Sequence, residues 1–260
     1  MLTYSTYGQY LPSIKAYLGD PCTSNLLMAK DGPLAVYYAP FEWVNPHARV
    51  VLVGITPGKT QAANALAEAK RAMLERVSDT EVLRRAKATG AFSGAMRPNL
   101  VSLLDTVGLH TWLGLNTCQD LFERSSGLLQ TASVLQFPVF LDGKNYNGTP
   151  DPLKHPLLRE LIAQHFGQAC ARLSEAVFVP LGPVPTKVLA WLTSQGVLTQ
   201  NRVLEGLPHP SGANAERIKY FLGQKARSDL STKTDPGRLD AAKAALIHAV
   251  TNLTTTTRVS

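Results

Sequence analysis

Short unbroken runs of aliphatic residues alternate along the chain with longer stretches in which apolar residues recur every three or four positions. A short run of this kind is typical of a strand buried on both faces of a parallel sheet, and the periodic stretches are typical of amphipathic helices. We predict strands in residues 50–54, 133–141, 176–182 and 202–210. We predict helices in residues 61–77, 98–108, 155–173, 184–195 and 237–253.

The order of these elements sets the expected architecture. Strands that alternate with helices favour an α/β fold, because each helix carries the chain back to begin another parallel strand. We therefore expect a central, mainly parallel sheet of four strands with helices packed against it. A single domain is expected over residues 1–260, with its core in about residues 48–224. Residues 1–47 and helix 237–253 are expected to be appendages.

Composition narrows the class of protein. The chain has 260 residues, of which 45% are hydrophobic, so it can bury a sizeable core. A net charge of +7 favours an anionic partner such as DNA. The absence of a long apolar run and of a secretion signal predicts a cytoplasmic protein with no membrane contact. Three widely spaced cysteines exclude a disulfide framework and a four-cysteine metal site, and we expect no metal and no cofactor.

The loops after the predicted strands are where chemistry is expected, because ligands of open α/β sheets bind beyond the carboxyl ends of the strands. Residues 54–59 (GITPGK) form a rigid turn whose backbone can closely approach a bound group. This loop matches neither the phosphate-binding GxxxxGK[ST] pattern nor the dinucleotide-binding GxGxxG pattern. Residues 207–214 (LPHPSGAN) hold His209 between two prolines. A plain turn and a structural histidine are the alternative interpretations.

Four short motifs in the same order resemble those of the uracil-DNA glycosylase superfamily. They are GxxPG at 54–58, GAFSG at 90–94 with LVSLLDTVGL after it, VPLG at 179–182 and HPSGxN at 209–214. The resemblance covers about residues 48–224 and implies a three-layer α/β/α fold. It implies a monofunctional DNA glycosylase, an enzyme that flips a base out of DNA, hydrolyses its N-glycosidic bond and leaves an abasic site. The cysteine count implies a branch without an iron–sulfur cluster, and a monomer is expected.

The resemblance also implies roles for the residues that match its motifs. His209 would donate a hydrogen bond to a carbonyl oxygen of the leaving base, as the matching histidine does to O2 of uracil. Phe92 would stack on the flipped base. The residues expected to contact DNA, through phosphates or as a small wedge in the minor groove, are Lys59, Ser211, Gly212, Ala213, Asn214 and Lys219.

The first motif departs from the superfamily at its third position. Several branches have there an Asp or Asn that orients the attacking water, and this chain has Thr56. A hydroxyl is a poor base at neutral pH, so Thr56 either positions the water only or leaves its activation to another group. Asp142 and Asp151, in the polar loop after the second predicted strand, are the candidates for that group. Base contacts are expected from Ile55 of the first loop and from Asn145 and Asn147 of the polar loop. The composition of the polar loop is also typical of a plain turn.

Three alternatives concern the function itself. The central predicted strand lacks the asparagine with which the superfamily often reads uracil, so we expect the target to be a uracil-like, damaged or modified pyrimidine. Activity on modified cytosines of phage DNA would make the protein an antiviral defence enzyme. A catalytically silent DNA-binding module of the same fold is favoured by Thr56. A nucleotide-binding protein is disfavoured, because no glycine-rich phosphate-binding pattern is present.

Overall fold

The computed structural model describes residues 5–90, 96–123, 127–173 and 175–257. The chain divides into two compact units. The first unit comprises Met1–Val44, Gly54–Ala91 and Ala132–Arg172, and the second comprises Asn45–Val53, Phe92–Thr131 and Leu173–Ser260. No helix within the described ranges combines the length and the apolar character needed to cross a membrane.

Helices and strands are interspersed along the chain, and the predicted α/β class is confirmed. The strands are β1 (Leu27–Asp31), β2 (Leu34–Tyr37), β3 (Val50–Gly54), β4 (Leu129–Ser133), β5 (Val139–Leu141), β6 (Lys144–Asn145) and β7 (Val177–Pro180). The α-helices are α1 (Ser5–Lys15), α2 (Lys59–Leu74), α3 (Asp79–Gly90), α4 (Met96–Thr106), α5 (Leu109–Leu113), α6 (Pro156–Leu161), α7 (Gln168–Arg172), α8 (Pro183–Ser194), α9 (Ala215–Phe221) and α10 (Pro236–Thr257). A π-helix, Ile162–Gly167, joins α6 to α7.

The parallel sheet has three strands in the order β4, β3, β7. The predicted fourth strand at 202–210 is reduced to a single parallel bridge between Phe178 and Val203. Beyond this bridge Gly206 has a φ of +112° and Pro208 has no N–H to donate, so the chain does not continue the ladder. The expectation of a four-stranded parallel sheet is therefore wrong in the number of strands.

The first unit contains a separate antiparallel sheet in the order β1, β2, β5, β6. In it β1 and β2 form a hairpin, and Leu34 of β2 pairs with Leu141 of β5. The predicted strand at 133–141 is split between the two sheets, because β4 ends at Ser133 and β5 begins only after Pro138. The N-terminal segment supplies α1 and two strands of the antiparallel sheet.

The core of the second unit combines apolar side chains from β3 and β7 with side chains from α4, α5, α9 and α10. Val50 and Val179 of the sheet are fully buried, and each such side chain contributes about 1.5–3 kcal/mol. Helix α10 buries Leu246, Val250 and Leu253 in this core. The loops that leave the sheet of the second unit are thus supported by a well-packed base.

Candidate active site

His209 lies in a loop that two prolines and one long-range hydrogen bond hold in place. Pro208 and Pro210 are buried, and His209 between them is half-buried. Asn99 of α4 donates from Nδ2 to the carbonyl oxygen of Pro210 at 2.9 Å. Because each proline also fixes its own φ, the backbone that carries the imidazole is rigid.

Hydrogen bonds from Ser211 determine the tautomer of the His209 imidazole. The backbone N–H of Ser211 donates to Nδ1 at 3.3 Å, and the Ser211 hydroxyl lies 3.0 Å from the same atom. Since Nδ1 accepts from an N–H, it carries no proton, and the proton of the neutral ring sits on Nε2. Burial lowers the pKa of His209, which favours this neutral ring. Within the described ranges Nε2 has no hydrogen-bond partner and is available to a ligand.

His209 lines a cleft of about 950 Å³ that is formed entirely by the second unit. The lining comes from the end of β7, the start of α8, residues 205–209, the start of α9, the segment before α10 and the first turns of α10. Its charged members are Lys187, Arg217, Lys233 and Arg238, against Glu205 and Asp235. This excess of positive charge suits a polyanionic ligand.

Gly182 allows the turn between β7 and α8 to pass close to the histidine ring. Its φ of +100° and ψ of 177° lie in a region that is open almost only to glycine. A Cβ at this position would be 3.4 Å from Cδ2 of His209. The glycine of the VPLG motif is therefore required by the backbone, and an added Cβ would be in van der Waals contact with the ring.

A row of polar side chains continues from His209 into α9. Asn214 Nδ2 donates to Ser211 Oγ at 3.2 Å, and Arg217 Nη1 donates to Asn214 Oδ1 at 2.8 Å. Arg217 Nη2 donates to the carbonyl oxygen of Lys233 at 3.0 Å. The side chains of Ser211 and Asn214, for which DNA contacts are expected, are thus engaged with one another and with the histidine.

The other expected DNA-contacting residues of the second unit lie on its surface. Gly212 and Ala213 are exposed in a 3₁₀ turn directly after Ser211. Lys219 is exposed on α9. Their positions leave them accessible to a large ligand.

In the first unit, the side chain of Thr56 braces the GITPGK loop. Its hydroxyl donates to the carbonyl oxygen of Phe137 at 2.9 Å and accepts from Val139 N at 3.1 Å. The hydroxyl has one proton, and that proton is already used. The neighbouring Ile55 is half-buried, and its carbonyl oxygen accepts from Leu135 N at 2.9 Å. The geometry gives Thr56 a structural role and does not support its expected part in catalysis.

Asn145 is fixed against the start of α2. Its Oδ1 accepts from the backbone N–H of Lys59 at 2.9 Å, and a Cβ at Gly58 would be 3.3 Å from its Nδ2. The Lys59 ammonium lies 3.5 Å from a carboxylate oxygen of Asp20, and both side chains are more than half exposed. Asn145, expected to read a base, therefore holds the loop with its carbonyl oxygen, and its Nδ2 packs beside Gly58.

Asp142 occupies the exposed tip of the β5–β6 hairpin. Its φ is +50° and that of Gly143 is +73°, and two successive left-handed residues are what a two-residue hairpin turn requires. Asn147 is also exposed, and its Oδ1 accepts from Thr149 N at 3.2 Å. The turn geometry explains this Asp-Gly pair by itself, and the role of Asp142 in activating water stays a prediction. Phe92, the expected stacking residue, lies outside the described residues.

The first unit holds a pair of titratable groups, Glu42 and Lys87, that the sequence pattern did not predict. Tyr38 OH donates to Glu42 Oε2 at 3.3 Å, and Glu42 Oε1 is buried with no partner in the described chain. Lys87 Nζ donates to the carbonyl oxygens of Phe41 at 3.1 Å and Trp43 at 2.6 Å, on either side of Glu42. Removal from water raises the pKa of Glu42 to about 7 and lowers that of Lys87 to about 7.

The helical period does indicate that Lys87 is buried, because this residue follows the buried Leu83 by one turn of α3. No pattern in the sequence indicates that Glu42 is its neighbour. A carboxyl group that changes charge near neutral pH has the property that acid–base chemistry needs.

Among the described residues, one group places three potential metal ligands close together. Ligand atoms of Asp105, His110 and Cys118 lie within 4.8 Å of one another in the second unit. The carboxylate of Asp105 already accepts from Thr117 Oγ1 and from Cys118 N, both at 2.6 Å. Burial raises the pKa of the Cys118 thiol and keeps it protonated, which makes it a poor ligand. Hydrogen bonds thus account for the Asp105 carboxylate, whereas His110 Nδ1 is buried, 3.5 Å from Asp105 Oδ1, with no hydrogen-bond partner among the described residues.

Comparison with known proteins gives one extensive match. The uncharacterized protein YoxB of Bacillus subtilis (strain 168) is 32% identical over 236 residues, which is 90% of this chain and 92% of YoxB. A match of this length includes residues of both units. No protein-family model and no solved structure matches the chain.

Proposed function

The chain belongs to the family of the Bacillus subtilis protein YoxB, and from its own residues we propose that it is a monofunctional DNA glycosylase. In the proposed reaction, water replaces a flipped pyrimidine-like base at C1′ of a deoxynucleotide. The C1′–N bond breaks, a C1′–O bond forms, the base leaves with its bonding electrons, and the proton that the water loses ends on the departed base. The products are the free base and an abasic site. The proposal places the chain in the uracil-DNA glycosylase superfamily, in a branch without an iron–sulfur cluster.

The observation that carries this proposal is the hydrogen bond from Ser211 N to His209 Nδ1, which places the proton of a neutral ring on Nε2. As the glycosidic bond breaks, negative charge develops on the carbonyl oxygens of the leaving base, and a rigid N–H donor becomes more favourable in the transition state than in the ground state. His209 is such a donor, and it lines a cleft with four cationic side chains. A donor in this role contributes about 10²–10³ in rate.

Three cations of the cleft, Lys187, Lys233 and Arg238, together with the exposed Lys219, are the proposed contacts to DNA phosphates. Binding to phosphates releases counterions, so the affinity for DNA falls with salt. The logarithm of the binding constant should fall against the logarithm of the salt concentration with a slope of about −0.9 for each phosphate that is neutralised. A binding constant that does not change with salt would argue against DNA as the ligand.

The test is the excision of bases from end-labelled oligonucleotides. Separate strands carry uracil, hydroxymethylcytosine or glucosylated hydroxymethylcytosine, and alkali cuts each strand at any abasic site. We expect the wild-type protein to produce cuts in at least one of these strands and His209→Ala to be slower by about 10²–10³. The matched control is His248→Ala, which removes an exposed histidine of α10 outside the cleft.

The pattern of cut strands decides the biological role. Cuts at uracil support repair of the cell's own DNA, and cuts only at modified cytosines support defence against phage. If none of the strands is cut, the proposed activity is wrong for these bases. Equal rates for wild type and His209→Ala would remove His209 from the reaction.

A catalytically silent DNA-binding module is the second candidate, and the first unit supplies the observation in its favour. Thr56 uses its only hydroxyl proton on Phe137, and Asp142 is explained by a hairpin turn. Thr56 is therefore not free to activate water, and the hairpin turn explains Asp142 without a catalytic role. For this candidate, DNA is bound with the salt dependence given above, and no alkali-labile site forms.

A further inference from the structure

Arg217 stands at the far end of a chain of hydrogen bonds that reaches the His209 ring. The chain runs from Arg217 through Asn214 and Ser211 to Nδ1 of the imidazole. We propose that Arg217 is a positioning residue that fixes the tautomer and orientation of His209 through these two side chains. The effect of Arg217 on the rate of base excision rests on the proposed function, whereas its effect on the tautomer of His209 does not.

The direction of each hydrogen bond follows from the arginine. A guanidinium group can only donate, so the Asn214 atom that faces Arg217 at 2.8 Å must be the carbonyl oxygen Oδ1. The amide group of Asn214 then directs Nδ2, which can only donate, to Ser211 Oγ at 3.2 Å. Because the serine oxygen accepts there, its one proton is free to point at His209 Nδ1, 3.0 Å away.

The arginine is itself well anchored for this role. Its second amino group donates to the carbonyl oxygen of Lys233 at 3.0 Å, which joins α9 to the segment before α10. Arg217 is exposed and has no carboxylate partner in the described part of the chain. Its two hydrogen bonds, rather than an ion pair, therefore set its orientation.

Without Arg217, the amide of Asn214 can rotate and present either end to Ser211. The serine proton is then no longer committed to Nδ1, and only the longer bond from Ser211 N remains at 3.3 Å. The tautomer with its proton on Nδ1 becomes populated, and in that form Nε2 is an acceptor. An acceptor cannot stabilise a carbonyl oxygen that gains negative charge.

Nuclear magnetic resonance of protein labelled with ¹⁵N in its histidines tests this directly, because the nitrogen shifts distinguish a protonated ring nitrogen from a bare one. We expect His209 of the wild type to show a bare Nδ1 and a protonated Nε2. In Arg217→Met, which keeps the length of the side chain but has no donors, the shifts of both nitrogens should move toward each other as the second tautomer appears. Identical His209 shifts in wild type and Arg217→Met would overturn the proposal.

Two further variants separate positioning from general disruption. Asn214→Ala breaks the same chain at its next link and should give the same change as Arg217→Met, with no further change when both are combined. Arg202→Met is the matched control, because among the described residues Arg202 pairs with Glu175 alone, and it should leave the His209 shifts unchanged. A change of equal size in Arg202→Met would contradict the proposal.

On a cleavable oligonucleotide, Arg217→Met should lower kcat by about tenfold with KM little changed, by analogy with residues that orient metal-binding histidines. Arg217→Lys keeps a donor and should recover part of the loss. Absence of cleavage by the wild type would refute the proposed function but not the positioning of His209, which the nitrogen shifts decide. Unchanged kcat in Arg217→Met, with altered shifts, would show that the tautomer does not limit the rate and would overturn the catalytic part of the proposal.

Discussion

Replacement of Gly182 by alanine should destabilise the second unit by an amount that the backbone geometry sets. With a φ of +100° and a ψ of 177°, the residue occupies a region where a side chain costs about 1–3 kcal/mol. The new Cβ would also lie 3.4 Å from Cδ2 of His209, which leaves no space to relieve the strain by moving toward the ring. We therefore expect the upper part of this range, about 2–3 kcal/mol.

The assay is thermal unfolding followed by circular dichroism. A loss of 1 kcal/mol shifts Tm by about 2–4 °C in a protein of this size, so Gly182→Ala should unfold roughly 4–12 °C below the wild type. The matched control is Gly212→Ala, because this glycine has no positive φ and nothing lies within 4 Å of the added Cβ. The control should change stability by less than about 0.5 kcal/mol.

Two results from these glycine variants would refute the reasoning. Gly182→Ala with the Tm of the wild type would mean that the turn between β7 and α8 does not hold the geometry described above. An equally large fall of Tm in Gly212→Ala would mean that the loss of stability does not depend on the positive φ of Gly182.

Three further predictions concern the first unit. Thr56→Val should cost about 1–3 kcal/mol in chemical denaturation, because it leaves the Phe137 carbonyl and the Val139 N–H without a partner, and Thr56→Ser should recover most of it. Asp142→Asn should leave stability and any excision rate unchanged, since Asn suits the left-handed turn equally well; a lost rate would restore Asp142 as the water-activating group. The raised pKa of Glu42 means that the fold favours its protonated form, so the free energy of unfolding should fall as pH rises from about 4.5 to about 7. Glu42→Gln should lack this fall, which chemical denaturation at several pH values measures. The same fall of the free energy of unfolding in Glu42→Gln and in the wild type would contradict the role of Glu42.

The sequence predicted the positions of helices and strands better than the pairing of the strands. The aliphatic run at β3 and the periodic stretches at α2, α4, α8 and α10 were each located within a few residues, because burial on both faces or on one face leaves a direct trace in the pattern. The pattern does not say which strand pairs with which. The run at 133–141 reads as one strand, yet its proline separates β4 and β5, which belong to different sheets.

The candidate site shows the same limit at the level of single residues. His209 could be selected from its rigid, proline-flanked loop, but the bonds that make it a donor could not be read from the motif. Ser211, Asn214 and Arg217 are spaced by three, and this spacing at the start of a helix is the pattern that indicates one connected face. By contrast, Thr56 lost its expected role to a partner 81 residues away, which no local pattern reveals.

The most direct test of the central claim is mass spectrometry of the products formed from an oligonucleotide that the wild-type protein converts to an alkali-labile strand. Our account predicts the free base together with an intact strand that carries an abasic site. It predicts a release rate about 10²–10³ lower in His209→Ala at saturating protein. Release of the base at the wild-type rate by His209→Ala, or a product from which no base has been lost, would contradict the claim that a neutral His209 serves the leaving base.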